Sequence, residues 1–244
     1  MTATIRAAAL AVSLAAATLH SAAPPPELNV AVVGDSLAHG VGDESGMGIA
    51  GRLEPELRSR GVESIVATNL GTWGATTRDL AAKLRQPDLR ASIAAADAIV
   101  LSIGANDIRL LFTGEEPLRS PLAVAGGVLR NIERIVAELR LINPGARILI
   151  LGAYAPLARG RAAEFLEPLI AIWDTMLALQ FAADPLVTIV PISDIVGAPE
   201  RLSTLDSFHP GGEAYQEAAA RIAELLAGPR LEAAAEGSPG KAGL

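Results

Sequence analysis

Ser36 lies in Gly34-Asp35-Ser36-Leu37, directly after the apolar run Leu28 to Val33, and far downstream Asp206-Ser207-Phe208-His209 sets a histidine three residues behind an aspartate. A serine hydroxyl is a weak nucleophile until an imidazole takes its proton and a carboxylate fixes the tautomer and orientation of that imidazole. The chain supplies all three groups, so Ser36, His209 and Asp206 are candidates for nucleophile, base and orienting carboxylate. Each also has a plainer reading: Ser36 as a helix cap after a strand, Asp206 as a cap of the last helix, and His209 as a solvated loop residue. With no cysteine in 244 residues there is no thiolate nucleophile, thiolate metal site or disulfide, and serine must do any nucleophilic work.

The elements that must position these groups follow from hydropathy. Short Val/Ile-rich runs occur at Leu28 to Val33, Ile65 to Leu70, Ala98 to Ile103, Ile148 to Leu151 and Leu186 to Pro191. Their continuous apolarity fits parallel strands covered on both faces. Between and after them lie helical patterns at about Gly48 to Arg60, Thr77 to Arg85, Val124 to Ile142, Ala162 to Ala182 and Glu213 to Leu226. Strand then helix then strand, with right-handed crossovers, predicts an α/β fold: a three-layer α/β/α sandwich around a central five-stranded parallel sheet, flavodoxin-like in plan. The composition, half apolar but 3% aromatic, predicts an aliphatic core.

Ligands of open parallel sheets bind beyond the carboxyl ends of the strands. Ser36 follows the first strand, Gly71-Thr72-Trp73-Gly74 the second, and Gly104-Ala105-Asn106-Asp107 the third. Asp206 and His209 come after the fifth strand and before the last helix, so distant segments converge on one rim.

These blocks together carry a resemblance. Gly34-Asp35-Ser36-Leu37, Asn69 with Gly74 five residues later, Gly104-Ala105-Asn106-Asp107 and Asp206-Ser207-Phe208-His209 resemble, in order and spacing, the blocks of the SGNH (GDSL) hydrolases. The resemblance covers about Leu28 to Leu226, and the chain is similar to bacterial GDSL lipase and acylhydrolase proteins, including the Gly40-Val41-Gly42-Asp43 continuation. Each block alone is a weak signal, and four in order are a strong one. One departure is Ala38-His39, where the family often has a hydroxyl residue after the leucine.

The resemblance implies Ser36 as nucleophile, His209 as base and Asp206 as orienting carboxylate. It also implies an oxyanion hole from the Ser36 N–H, the Gly74 N–H and the Asn106 amide, with no metal or other cofactor. Asp35 is read as a loop support, Asp107 as a helix N-cap, and Trp73 is left without a role. His39 is the competing base: it lies three residues from Ser36 but lacks the aspartate that precedes His209.

The implied activity is that of a serine esterase or lipase-like acylhydrolase acting on a small-molecule or lipid ester. A carbohydrate O-acetylesterase would use the same triad, and a non-catalytic binding module would use the same rim with Ser36 as an anchor. A net charge of −7 with no basic run argues against nucleic acid as a partner, and the first glycine turn lacks GxGxxG, which argues against a dinucleotide.

The amino terminus reads as a signal peptide over residues 1–23: Arg6, apolar Ala7 to Leu19, and the small residues Ser21-Ala22-Ala23. That stretch is shorter than the roughly 20 apolar residues a membrane span needs, so the expectation is cleavage and a secreted or periplasmic protein without a transmembrane anchor. A linker at 24–27, a catalytic domain at 28–227 and a flexible tail at 228–244 complete the expected layout, which is read as monomeric.

Overall fold

The computed structural model describes residues 27–108, 120–155 and 161–228. The expected signal segment, most of the expected linker, the tail beyond Gly228, and most of the two loops near Phe112 to Ser120 and Ala155 to Arg161 lie outside the described residues.

Five strands, β1 (Leu28–Gly34), β2 (Ile65–Gly71), β3 (Ala98–Ser102), β4 (Arg147–Leu151) and β5 (Val187–Val190), form one sheet in the order β2-β1-β3-β4-β5. Every pairing is parallel. Because successive side chains in a strand point to opposite faces, one apolar run can fill two cores. Val30 and Val32 of β1, Val100 of β3 and Leu149 of β4 enter one cluster, with Leu53 and Leu57 of α2 (Gly48–Ser59) and Tyr215 and Ile222 of α8 (Gly212–Ala227).

Ala31 and Val33, Ile99 and Leu101, and Ile148 and Ile150 enter the other. There they meet Leu80 of α3 (Thr77–Lys83), Ile93 of α4 (Pro87–Ala95), Ile132 and Leu139 of α5 (Pro121–Ile142) and Leu177 of α6 (Arg161–Gln180). The result is the expected three-layer α/β/α sandwich with an aliphatic core.

Burial on both faces holds only for the inner strands. All five residues of β3 are buried, whereas β2 exposes Val66, Thr68 and Asn69 and only Val190 of β5 is buried, since these two strands are the sheet edges. Short helices also escaped the periodicity reading: α1 (Ser36–His39), α4, and α7 (Ser193–Val196). α4 begins at Pro87, which needs no intrahelical N–H partner at that position, and α5 starts at Pro121, ahead of the expected Val124, for the same reason.

The order reverses between β1 and β3, and that is where the chain leaves β1 toward Ser36. Gly34 makes the exit possible. Its φ is +138°, and a Cβ there would lie 1.8 Å from the Ser102 carbonyl oxygen of β3, which accepts the Asp35 N–H at 2.9 Å. Gly34→Ala is therefore expected to cost about 3 kcal/mol or more, from steric overlap plus left-handed strain. Urea denaturation measures this, and an unchanged midpoint would show that β1 and β3 part at this point without penalty.

Candidate active site

Asp35 ends the strand and starts the turn. Its backbone is extended, and its Oδ1 accepts from the Leu37 N–H at 3.1 Å and from the Ser102 hydroxyl at 2.9 Å. Ser36 thereby becomes the first residue of α1, where its own N–H has no carbonyl four residues back. The helix stops after one turn at Gly40, which is left-handed at φ +91°. Asp35 is only 3% exposed, and burial pushes its carboxyl up to about 6 against the opposing hydrogen bonds from Ser102 and Leu37. It supports the loop, as the sequence suggests, through Ser102, a partner that no motif pointed to.

The histidine sits on a closed loop over residues 203–212. Ser203 N–H donates to the His209 carbonyl at 2.8 Å, Ser207 N–H to the Ser203 carbonyl at 2.9 Å, and Leu202 bridges to Pro210. Asp206 does not cap the last helix. Its Oδ1 accepts the N–H groups of Phe208 and His209, each at 2.9 Å, an Asx-type turn completed by Ser207 at φ +54°. Its Oδ2 lies 2.6 Å from His209 Nδ1.

Across the site, His209 Nε2 is 2.9 Å from Ser36 Oγ. His209 is buried, with the Phe208 ring edge-on at 5.0 Å. A carboxylate accepts and cannot donate, so Nδ1 carries the proton and Nε2 is free to accept from the serine hydroxyl. Partial burial works against ionisation of Asp206, but hydrogen bonds from the His209 ring and from the His209 and Phe208 N–H groups hold it below the usual carboxylate range.

His39 does not compete. It is exposed, and its Nδ1 lies 3.3 Å from the Gly71 carbonyl. Asn69 explains the spacing of the second block: its side chain donates to the His39 carbonyl at 2.8 Å and accepts the Gly71 N–H at 3.0 Å, clasping α1 to the end of β2. Gly71 packs flush there, since a Cβ would come within 2.2 Å of the His39 nitrogen. Gly74, three residues on, has φ +77° and open space where a Cβ would be.

Asn106, in the helical stretch 105–108 beyond β3, donates one Nδ2 hydrogen to the Ala75 carbonyl at 3.0 Å, which ties it to the Gly74 loop and leaves its second hydrogen for another acceptor. Asp107 is not the cap of its own helix. Its carboxylate accepts the Thr77 N–H at 2.8 Å and the Thr77 hydroxyl at 2.6 Å, so it caps α3 from across the site. Trp73 is 71% exposed and is not core packing.

The raised Asp35 carboxyl has a stability consequence. A group whose folded value lies above its unfolded value contributes most below the unfolded value, here 3.8, and that contribution is lost as pH rises through about 6. Asn at position 35 keeps an acceptor for Leu37 and Ser102 but cannot ionise. The stability of Asp35→Asn relative to wild type is thus expected to rise between pH 4 and 6 by up to about 3 kcal/mol and then level off. Urea unfolding across that range measures it, and a pH-independent difference would contradict the buried, reluctant carboxyl.

Comparison with known proteins bears on the fold and the family. The chain is 26% identical over 218 residues to the uncharacterized protein YpmR of Bacillus subtilis (strain 168), covering 85% of this chain and 84% of that one. Among solved structures it is similar to the lipase Lip_vut3 from a goat rumen metagenome (TM-score 0.68, 20% identity, 82% of this chain and 97% of that one). It is also similar to a family 3 carbohydrate esterase of Clostridium thermocellum (TM-score 0.59, 19% identity, 83% and 100%). Residues 32–217, well over half of the sequence and running from inside β1 past His209, match the family profile, and the chain belongs to the GDSL-like Lipase/Acylhydrolase family.

Proposed function

We propose that this protein is a serine esterase that cleaves carboxylic ester bonds through an acyl-enzyme intermediate. The observation that carries the reading is the unbroken relay from Asp206 through His209 to Ser36, at 2.6 and 2.9 Å. Ser36 Oγ attacks the acyl carbonyl carbon as its proton passes to His209 Nε2. The carbonyl oxygen becomes an oxyanion, and the Ser36 N–H, the Gly74 N–H and the second Asn106 hydrogen are the donors assigned to it. Collapse expels the alcohol, which takes the proton back from Nε2. Water, deprotonated by the same imidazole, then attacks the acyl carbon, the acyl–Oγ bond breaks, and Nε2 returns the proton to Ser36 Oγ as the carboxylic acid leaves. Asp206 stays ionised throughout and stabilises the imidazolium.

Substrate choice lies outside the relay. A lipase-like acylhydrolase is the reading the family supports best. A carbohydrate O-acetylesterase uses the same triad and draws on the likeness to the Clostridium carbohydrate esterase. Acetyl against octanoyl esters separates them, because a pocket shaped for acetate rejects the long chain. The reading includes export, supported by Arg6, the apolar Ala7 to Leu19 and Ser21-Ala22-Ala23. Cytosolic protein that retains Met1 would reject export.

Two variants test the chemistry. Ser36→Ala is expected to abolish hydrolysis of short p-nitrophenyl esters, and retained activity would remove the triad assignment. Asn106→Ala is expected to lower kcat by about a hundredfold to a thousandfold with the fold intact. An unchanged kcat would take Asn106 out of the oxyanion hole.

A further inference from the structure

Ser36 and His209 lie on separate segments, and the spacing between them must be set by contacts other than their own. The segment that leaves the nucleophile turn runs directly to the histidine loop. The Ser36 carbonyl accepts the Gly40 and Val41 N–H groups, both at 3.0 Å, so the residues after α1 are tied to the nucleophile. The Val41 carbonyl in turn accepts the Tyr215 hydroxyl of α8 at 2.7 Å. Gly42, at φ +93°, lies flush against the base: a Cβ there would stand 2.6 Å from His209 Cβ and 2.8 Å from the Pro210 carbonyl oxygen.

Two residues further on, Glu44 reaches across. Its Oε1 accepts from the Thr204 N–H at 3.1 Å and from the Thr204 and Ser203 hydroxyls, each at 3.2 Å. Its Oε2 accepts the Gly212 N–H at 3.0 Å. Ser203 and Thr204 open the loop that carries Asp206 and His209, and Gly212 closes it. One carboxylate therefore pins both ends of that loop to the segment leading out of the nucleophile turn. Its base is rigid, because neighbouring Asp43 accepts the Gly48 N–H at 2.7 Å and the Arg52 guanidinium at 2.9 and 3.1 Å.

We propose that Glu44 is a positioning residue for the proton transfer between Ser36 and His209, acting through the 203–212 loop and touching no substrate. The proposal rests on the serine hydrolase reading. Glu44 is exposed yet firmly ionised: its own N–H and those of Thr204 and Gly212 hold its carboxyl down to about 2, so the clamp stays charged across any working pH. Glutamine keeps one carbonyl acceptor but turns an NH₂ toward an N–H that needs an acceptor. Alanine releases both ends of the loop.

The test measures the rate at which a fluorophosphonate labels the full-length protein, which reads nucleophile activation without any choice of substrate, together with kcat and KM for a short p-nitrophenyl ester. Glu44→Ala is expected to lower the labelling rate by about tenfold to a hundredfold, with kcat falling in step and KM within about twofold of wild type. Glu44→Gln is expected to fall less, a partial rescue. Arg140→Ala, which removes a remote ion pair with Asp184 at 2.7 Å, serves as the stability control and is expected to label at the wild-type rate per folded molecule.

A wild-type labelling rate in Glu44→Ala, or a loss no larger than its unfolded fraction by circular dichroism, overturns the proposal. If the alanine variant does not fold, Glu44→Gln decides alone, and wild-type labelling there overturns it. Should Ser36→Ala itself label as fast as wild type, the hydrolase reading fails and Glu44 with it. Should Ser36→Ala stay unlabelled while Glu44→Ala labels normally, only the positioning role fails.

Discussion

The contact between the Ser36 hydroxyl and the His209 imidazole joins residues 173 positions apart in the chain at 2.9 Å, and the rest of the molecule is arranged around keeping them there. A proton moves productively only over a distance of this kind, so errors of an ångström in either segment matter. The parallel sheet fixes one end, because Asp35 and Gly34 are held against Ser102 of the central strand β3. Helix α8 fixes the other, packing Tyr215 and Ile222 into the same apolar cluster as Val30 and Val32 of β1. Both halves of the relay thus rest on one continuous core.

Three carboxyl groups near this contact sit in three environments, and their protonation follows from surroundings. Asp35 is buried under the nucleophile turn, and burial raises it to about 6 despite the hydrogen bonds it accepts from Ser102 and Leu37. Asp206 is partly open to solvent but faces the imidazole ring and two N–H groups, and is lowered. Glu44 is exposed and is lowered to about 2 by its own and its neighbours' N–H groups. Desolvation raises a carboxyl and donors lower it, so one scaffold holds a carboxyl able to stay neutral under the turn and two charged ones at the loop.

Legibility in the sequence followed the length scale of each interaction. The inner strands β1, β3 and β4 read clearly, since burial on two faces demands an unbroken apolar run, and the roles of Ser36, Asp206 and His209 were legible only through the resemblance that the four ordered blocks carry together. The edge strands β2 and β5 were legible as strands but not as edges, because exposure depends on which neighbours the sheet order supplies. α4 was hidden by its weak amphipathic pattern and by Pro87, which looks like a break and serves as a start. Asp107 was misread because its partner, Thr77, lies 30 residues away. Gly40-Val41-Gly42-Asp43 was visible as a motif without a role, since the partners of Gly42 and Glu44 belong to a loop some 160 residues downstream.

The most direct measurement is a crystal structure of the protein after reaction with a fluorophosphonate. The expected adduct has phosphorus bonded to Ser36 Oγ, His209 Nε2 within hydrogen-bond reach of the phosphonyl ester oxygens, and the phosphoryl oxygen facing the Gly74 N–H and the Asn106 amide. An adduct on another residue, or on Ser36 with its phosphoryl oxygen turned away from Gly74 and Asn106 and the imidazole out of reach, would contradict it.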